Sequence, residues 1–180
     1  MKRYAALLRA VNVGGRKVAM AELRRVAEAA GFERPQTLLA SGNLIFGTDL
    51  PKAAAEKRLE AEIEGAFKLF SDVLVRDLAD LEAVAAANPF PAEAKTEPNR
   101  LMAMFLSGEP QAGLETLESA CVAGESVRPG PGCLYIFFPA GAGTSKLANA
   151  VIERRLKVRG TMRNWNTVGN LLAALEGTPS

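Results

Sequence analysis

The sequence predicts an α+β fold composed of two ferredoxin-like (βαββαβ) halves with an extra C-terminal helix. Segments with strand or helix spacing of apolar residues follow one another in the order β-α-β-β-α-β through the first half. The same order recurs after a proline-rich stretch that begins at Asn88. The chain has 180 residues, enough for two domains of about 90 residues each. We therefore predict a ferredoxin-like domain over residues 1–88, and a second one with a closing helix over residues 89–180.

In the first half, residues that start or stop a helix predict the helix boundaries. Gly31 ends an amphipathic segment that begins at Met20, and Pro51 stands where it would open a long helix. Ser41-Gly42-Asn43 separates two short apolar runs, as a hairpin turn does, because glycine and asparagine tolerate left-handed backbone. The predicted elements are a strand at 3–10, a helix at 20–30, strands at 37–40 and 44–47, a helix at 51–69 and a strand at 73–75.

The second half repeats this order without obvious sequence identity to the first. A helix at 78–87 leads into Asn88-Pro89-Phe90-Pro91 and a polar stretch to Asn99, which we predict to be the domain junction. A Pro-Gly-Pro-Gly segment, Pro129 to Gly132, predicts the turn of a second hairpin. The predicted elements are a strand at 101–106, a helix at 112–120, strands at 125–128 and 134–138, a helix at 145–157, a strand at 161–164 and a helix at 168–175.

Composition excludes several classes of protein. The chain has no histidine, which excludes histidine-dependent triads and zinc hydrolysis but leaves carboxylate, lysine and tyrosine chemistry open. Cys121 and Cys133 have no paired motif around them, and the acidic residues lack the spacing of a cation-binding loop. No apolar run approaches the roughly 18 residues of a transmembrane helix. We expect a cytoplasmic protein with no metal site, no cofactor and no membrane association.

Charge is distributed unevenly although the net charge is only +2. Residues 1–25 carry seven basic groups against one acidic group, and residues 146–163 carry six against one. Two basic segments on an otherwise acidic chain predict a positive region if the two segments meet in space. Arg24, Arg25, Arg154 and Arg155 are expected to line solvated helix faces, whereas Arg9 and Arg163 adjoin strand ends.

Four short polar motifs interrupt the apolar segments and define a candidate site. Glycine N–H groups, amides, hydroxyls and cations at the ends of strands and helices are the groups that bind an anion. Each motif also has a structural interpretation as a tight turn or a helix cap. The motifs are Arg9 to Lys17, Ser41 to Asn43, Gly141 to Lys146, and Arg163 to Thr167, which contains the only tryptophan. The predicted ligand-binding residues are Arg9, Asn12, Gly14, Gly15, Lys17, Ser41, Asn43, Ser145, Lys146, Arg163 and Asn164.

Two of the motifs adjoin predicted helices. Thr144 or Ser145 is expected to cap the helix at 145–157, whose N-terminus would then favour an anion by roughly 0.3–1 kcal/mol. Lys146 follows a serine, the reverse of the order in a P-loop, so a nucleoside triphosphatase is not predicted. In the last motif, Trp165 is expected to anchor the closing helix and Asn166 or Thr167 to cap it. These roles leave Arg163 and Asn164 for a ligand.

The motifs together resemble the bacterial family known as domain of unknown function 1697. The resemblance rests on 7–15, 20–23, Ser41-Gly42-Asn43 with 44–46, Asn88-Pro89-Phe90, Ser145-Lys146 and 163–167, and it runs nearly end to end. It implies two ferredoxin-like halves, in agreement with the element order, and it implies no established activity. Ala10 stands where the family pattern usually has glycine, and Ala40 where it usually has glutamine.

The motifs favour a binding protein for a phosphate-bearing or other anionic small molecule, such as a nucleotide. Arg9 and Arg163 would supply charge-assisted contacts, and the glycines would supply N–H donors. Single-stranded nucleic acid is an alternative partner, because Tyr135 and Phe137 alternate onto one strand face as stacking residues would. An enzyme that uses lysine, tyrosine or carboxylate chemistry is a third interpretation, for which no nucleophile–base pair can be identified.

Overall fold

The computed structural model describes residues 1–10, 17–39 and 42–177. Within these ranges the chain forms eight β-strands, six α-helices and two 3-10 helices. The first half contains β1 (Lys2–Leu8), α1 (Met20–Ala29), β2 (Glu33–Leu38), β3 (Asn43–Thr48), α2 (Lys52–Phe67) and β4 (Val73–Arg76), followed by α3 (Leu78–Ala86) and α4 (Pro91–Thr96). The second half contains β5 (Leu101–Leu106), a 3-10 helix (Leu114–Ala120), β6 (Ser126–Gly130), β7 (Cys133–Phe137), a 3-10 helix (Ala142–Thr144), α5 (Asn149–Leu156), β8 (Gly160–Asn164) and α6 (Trp165–Glu176).

Two antiparallel sheets of four strands confirm the predicted ferredoxin-like halves. The first has the strand order β2-β3-β1-β4 and the second the equivalent order β6-β7-β5-β8. In each, the first and third strands of the half lie side by side in the middle, as β-α-β crossovers on both sides of a hairpin require. The sequence therefore specified the topology correctly, including the closing helix α6.

One face of each sheet packs on the helices of its own half. Alternate residues of the strands point to that face, so each core forms from every second strand residue and the apolar stripes of the helices. In the first half this core includes Tyr4, Ala6, Leu8, Leu44, Phe46, Val75, Leu23, Leu59 and Ile63. In the second half it includes Met104, Leu106, Leu134, Ile136, Phe138, Leu117, Ile152 and Leu156.

Each half has an equivalent pair of main-chain hydrogen bonds where its first strand, β1 or β5, ends. In the first half, Leu8 N–H donates to Gly42 C=O at 2.8 Å and Arg9 N–H to Asp72 C=O at 2.9 Å. In the second half, Leu106 N–H donates to Gly132 C=O at 3.0 Å and Ser107 N–H to Arg159 C=O at 2.8 Å. These bonds make Arg9 and Asp72 the structural counterparts of Ser107 and Arg159.

Side chains of α2 and α5 form hydrogen bonds with the main chain of the edge strands β4 and β8. On α2, Glu56 and Glu60 lie one turn apart and accept the N–H groups of Val75 at 2.8 Å and Val73 at 3.0 Å. On α5, Asn149 and Glu153 are spaced in the same way, and both bond the main chain of a single residue. That residue is Gly160, whose C=O accepts from Asn149 at 3.1 Å and whose N–H donates to Glu153 at 2.9 Å.

Some local elements differ from the prediction. The polar stretch after Asn88, where no helix was predicted, contains α4, which begins at Pro91 because proline fits the first turn of a helix. The helix predicted at 112–120 is a 3-10 helix over Leu114–Ala120. The helix predicted from Ser145 begins at Asn149, after an extended Ala148.

The chain divides into two compact units. One comprises Met1–Leu81 together with the segment from Asn170 onward, and the other comprises Glu82–Gly169. Both α3 and α6 run across this division, whereas the sequence prediction sets its boundary between residues 88 and 89. Among the helices of the described ranges, none combines the length and apolar character needed to cross a bilayer.

Candidate functional site

Arg9 lies at the end of β1 and is held on both its main chain and its side chain. Its C=O accepts from the Ser71 hydroxyl at 2.7 Å, and its Nη1 lies 3.3 Å from Asp72 Oδ2. The Arg9 side chain is 29% exposed, whereas that of Asp72 is 8% exposed. The carboxylate therefore orients the guanidinium, and the Arg9 side chain remains partly exposed to solvent.

Two other predicted residues of the first unit, Asn43 and Lys17, lie within the described ranges. Asn43 is fully buried, and its Nδ2 donates to Leu38 C=O at 3.0 Å. This contact gives Asn43 a structural role at the same sheet end as Arg9, because β1 pairs Leu7 with Asn43. Lys17 is exposed. The predicted residues Asn12, Gly14, Gly15 and Ser41 lie outside the described residues.

Ser145 is engaged with a buried carboxylate. Its hydroxyl donates to Glu125 Oε1 and accepts the Leu147 N–H at 3.0 Å. Burial alone would raise the pKa of Glu125, but the hydrogen bonds from Ser145 and the Ala123 N–H outweigh it and lower that pKa. A carboxylate with a lowered pKa is a weak general base, so this pair stabilises the loop before α5 rather than activating the serine.

Lys146 is exposed on that loop, but the predicted helix N-terminus is not beside it. Because α5 begins at Asn149 with Ala148 as its N-cap, neither Thr144 nor Ser145 caps the helix. The helix dipole decays within the first turn, so the expected contribution of this helix to anion binding at Ser145 and Lys146 is lost.

Arg163 is buried, with 6% of its surface exposed. Its Nη1 donates to Thr161 Oγ1 at 2.6 Å and to Met162 C=O at 2.8 Å. Burial lowers the pKa of Arg163 to about 10, because the charged form loses its hydration. The side chain therefore sits inside the second unit, whereas the sequence prediction placed it in a solvent-accessible ligand site.

Asn164 is the N-cap of α6. Its Oδ1 accepts from the Thr167 N–H at 2.9 Å and from the Thr167 hydroxyl at 3.0 Å. The prediction that Asn166 or Thr167 caps this helix was wrong, because Asn166 instead donates to Asn99 Oδ1 at 2.8 Å. Asparagine is a preferred N-cap, so the cap explains Asn164 without a ligand.

The predicted residues of the second unit lie at one end of its sheet but at opposite edges. Glu125, which holds Ser145, precedes β6, and Arg163 and Asn164 end β8; β6 and β8 are the two edge strands. Three strand spacings separate these edges, or about 14 Å. One small anion cannot span Ser145 and Asn164 along this sheet.

The aromatic face proposed for nucleic-acid stacking is covered. Tyr135 is fully buried, and its hydroxyl donates to Val84 C=O at 2.6 Å. Phe137 is half-buried, with its ring centroid 6.3 Å from that of Phe90. Burial also raises the pKa of Tyr135, so its phenol stays protonated at neutral pH. Tyr135 offers neither a stacking surface nor a base.

Ser71 and Asp72 were missed by the sequence analysis, although they position Arg9. The available signal was a serine and an aspartate directly before a predicted strand, a place where polar side chains bond neighbouring main chain. No group of three or more metal-binding side chains occurs in the ranges that the structure describes.

Comparison with known proteins identifies the family of the chain and a similar solved structure. The model of the family described as "Protein of unknown function (DUF1697)" matches residues 1–135. The chain belongs to this family. A similar solved structure is that of the conserved bacterial protein SP0830 from Streptococcus pneumoniae, with 25% identity and a TM-score of 0.74 over 98% of this chain and 99% of that chain. No curated protein matches the chain.

Proposed function

We propose that this protein binds a phosphate-bearing or other anionic small molecule at the end of β1, with Arg9 as the principal cation. The supporting observation is the partly exposed side chain of Arg9, whose guanidinium is paired with the buried Asp72 and whose C=O accepts from Ser71. A guanidinium held in one orientation loses little side-chain entropy on binding, and its planar fork suits a phosphate or carboxylate.

The sequence around Arg9 supplies further groups for the same ligand. Lys17 is exposed and follows the glycine-containing segment with Asn12, Gly14 and Gly15. Backbone N–H groups of such a segment would complement the cation at Arg9. Because Asp72 offsets part of the positive charge, the proposed site favours a ligand that also accepts directed hydrogen bonds.

Calorimetric titration of the full chain with pyrophosphate and with adenosine monophosphate, at low ionic strength, tests this proposal. We expect saturable binding that the Arg9→Gln substitution weakens about tenfold or more, the loss of one charge-assisted contact. Arg24→Gln removes one exposed positive charge from α1 and serves as the matched control.

Two outcomes would contradict the proposal. Equal weakening by Arg9→Gln and Arg24→Gln would show that only net charge matters. Tighter binding of a single-stranded oligonucleotide than of both small anions, with the steep salt dependence of phosphate-backbone contacts, would favour a nucleic-acid partner instead.

A further inference from the structure

A cleft of about 320 Å³, lined in part by charged residues, lies in the second unit beside the loop after β5. Its wall is anchored at two points: Ser107 N–H donates to Arg159 C=O at 2.8 Å, and Gln111 N–H donates to Leu156 C=O at 2.9 Å. The second bond also satisfies a carbonyl at the C-terminus of α5. The loop therefore forms a preformed wall, which reduces the entropy lost when a ligand binds.

The cleft contains charged groups of both signs. Lys157 and Arg159 provide cations, and Glu109 and Glu153 provide carboxylates. The Gly160 N–H holds Glu153 in place at 2.9 Å. A cleft with two charges of each sign has no net preference for an anion, so a ligand with both a negative and a positive group complements it best.

A second cavity of about 240 Å³ adjoins this cleft, because Gly108 and Glu109 line both spaces. Its lining also includes the apolar side chains of Leu106, Pro110, Leu114 and Leu134. A ligand with its charged end in the cleft can therefore place an apolar group against these side chains. Small-molecule sites commonly combine an apolar enclosure with a few fixed polar groups.

We propose that the cleft bounded by the loop after β5 is a second binding site, specific for a zwitterionic small molecule with an apolar substituent, such as a free apolar amino acid. Arg159 and Lys157 bind its carboxylate, Glu109 binds its ammonium group, and the cavity beside Leu114 takes its side chain. This site belongs to the second unit and does not depend on ligand binding at Arg9.

Gly108 allows a direct steric test. A Cβ added at Gly108 meets no atom within 4 Å, and no left-handed backbone requires glycine there. Gly108→Leu should therefore fold normally while reducing the space that the two cavities share. Gly65→Leu, at an exposed and equally open position on α2, is the matched control.

The experiment is an NMR titration of the isotopically labelled full chain with L-phenylalanine and L-leucine. We expect saturable amide shifts at 107–109, at 111 and at 157–159 that Gly108→Leu abolishes and Gly65→Leu retains. Arg159→Gln and Glu109→Gln should each weaken binding about tenfold, as loss of one charge contact does. Arg154→Gln, on the exposed surface of α5 away from the cleft, should leave the affinity unchanged.

Analogues that lack one of the two charges test whether the site requires both the carboxylate and the ammonium group. 3-Phenylpropanoate lacks the ammonium group and 2-phenylethylamine lacks the carboxylate, so both should bind at least about tenfold more weakly than L-phenylalanine. Equal binding of either analogue would overturn the zwitterion specificity. The absence of saturable shifts with both amino acids would overturn the site itself, whatever Arg9→Gln does to anion binding.

Discussion

At the scale of single residues, the main-chain conformation of Ala10 explains a feature of the sequence. Ala10 has φ of +54°, in the left-handed region that favours glycine, directly after Arg9. The resemblance described from the sequence implies glycine at this position, which agrees with this backbone geometry. This chain tolerates alanine there at the expense of some strain.

Ala10→Gly should raise the free energy of unfolding by about 0.5–1 kcal/mol, because the left-handed conformation is disfavoured for residues with a Cβ. Denaturant unfolding measures the change. The matched control is Ala66→Gly on the exposed face of α2, which should lower stability by about 1 kcal/mol. If Ala10→Gly also destabilises the chain, Ala10 is not strained.

Arg163 is the residue at which sequence reasoning failed most clearly. Its position beside an amide-rich motif suggested a ligand contact, yet strand alternation puts it on the same face of β8 as the buried Thr161. A buried guanidinium is rare, so composition could not indicate it. Only the tertiary structure shows that both faces of this strand are covered.

We expect Arg163→Ala to reduce the free energy of unfolding by about 2–4 kcal/mol, because it leaves a cavity and removes the bonds to Thr161 and Met162. Arg154→Ala, at an exposed position, should stay within about 0.5 kcal/mol of the wild type. Thermal and urea unfolding measure the free energy of unfolding of both variants. A neutral Arg163→Ala would show that the side chain is not required for folding.

At the scale of elements, one lysine joins the starts of α2 and α3. Lys52 Nζ lies 2.8 Å from Asp77 Oδ2 and 2.5 Å from Asp80 Oδ2. The two aspartates also form a capping box: Asp80 N–H donates to Asp77 at 2.9 Å and Asp77 N–H to Asp80 at 3.0 Å. The sequence shows the spacing of this box, but not the lysine that joins it from 25 positions upstream of Asp77.

The pKa shifts in this cluster predict how its contribution depends on pH. Partial burial alone would raise the pKa of Asp77 and lower that of Lys52. The hydrogen bonds between the two side chains outweigh burial, so the pKa of Asp77 is lowered and that of Lys52 is raised. The stabilisation from Asp77 is therefore complete above its ordinary pKa of 3.8 and is lost as the pH falls below that value. The stabilisation from Lys52 is complete below 10.5 and is lost as the pH rises beyond it.

Lys52→Gln should accordingly destabilise the chain at pH 7 by less than about 1 kcal/mol, since the three side chains are partly solvated. In urea unfolding, the difference from the wild type should shrink when the pH is lowered below about 3.8, where the stabilisation from Asp77 is lost. Lys57→Gln on the same helix is the control, because Lys57 is exposed. A pH-independent difference would exclude Asp77 as its cause.

At the scale of the whole molecule, the strand order and helix order were predictable because each half alternates clearly between strand and helix periodicity. The 3-10 helix at Leu114–Ala120 and the late start of α5 were not predictable from periodicity, because they depend on loop contacts such as that between Ser145 and Glu125. Of the predicted site residues, Arg9 has a partly exposed side chain. By contrast, hydrogen bonds within the fold engage Asn43, Ser145, Arg163 and Asn164.

The bonds that α2 makes to β4 have a consequence for self-association. An aggregate grows by strand addition only where an edge strand has unpaired main-chain N–H and C=O groups. In the first sheet, Glu56 and Glu60 already occupy the outward amides of Val75 and Val73. The opposite edge strand, β2, contains Pro35, which has no amide hydrogen to donate. Pro35 lies between Glu33 and Gln36, where the pairing of β2 with β3 is irregular. Both edge strands of this sheet therefore disfavour the addition of a strand from another molecule, as in amyloid.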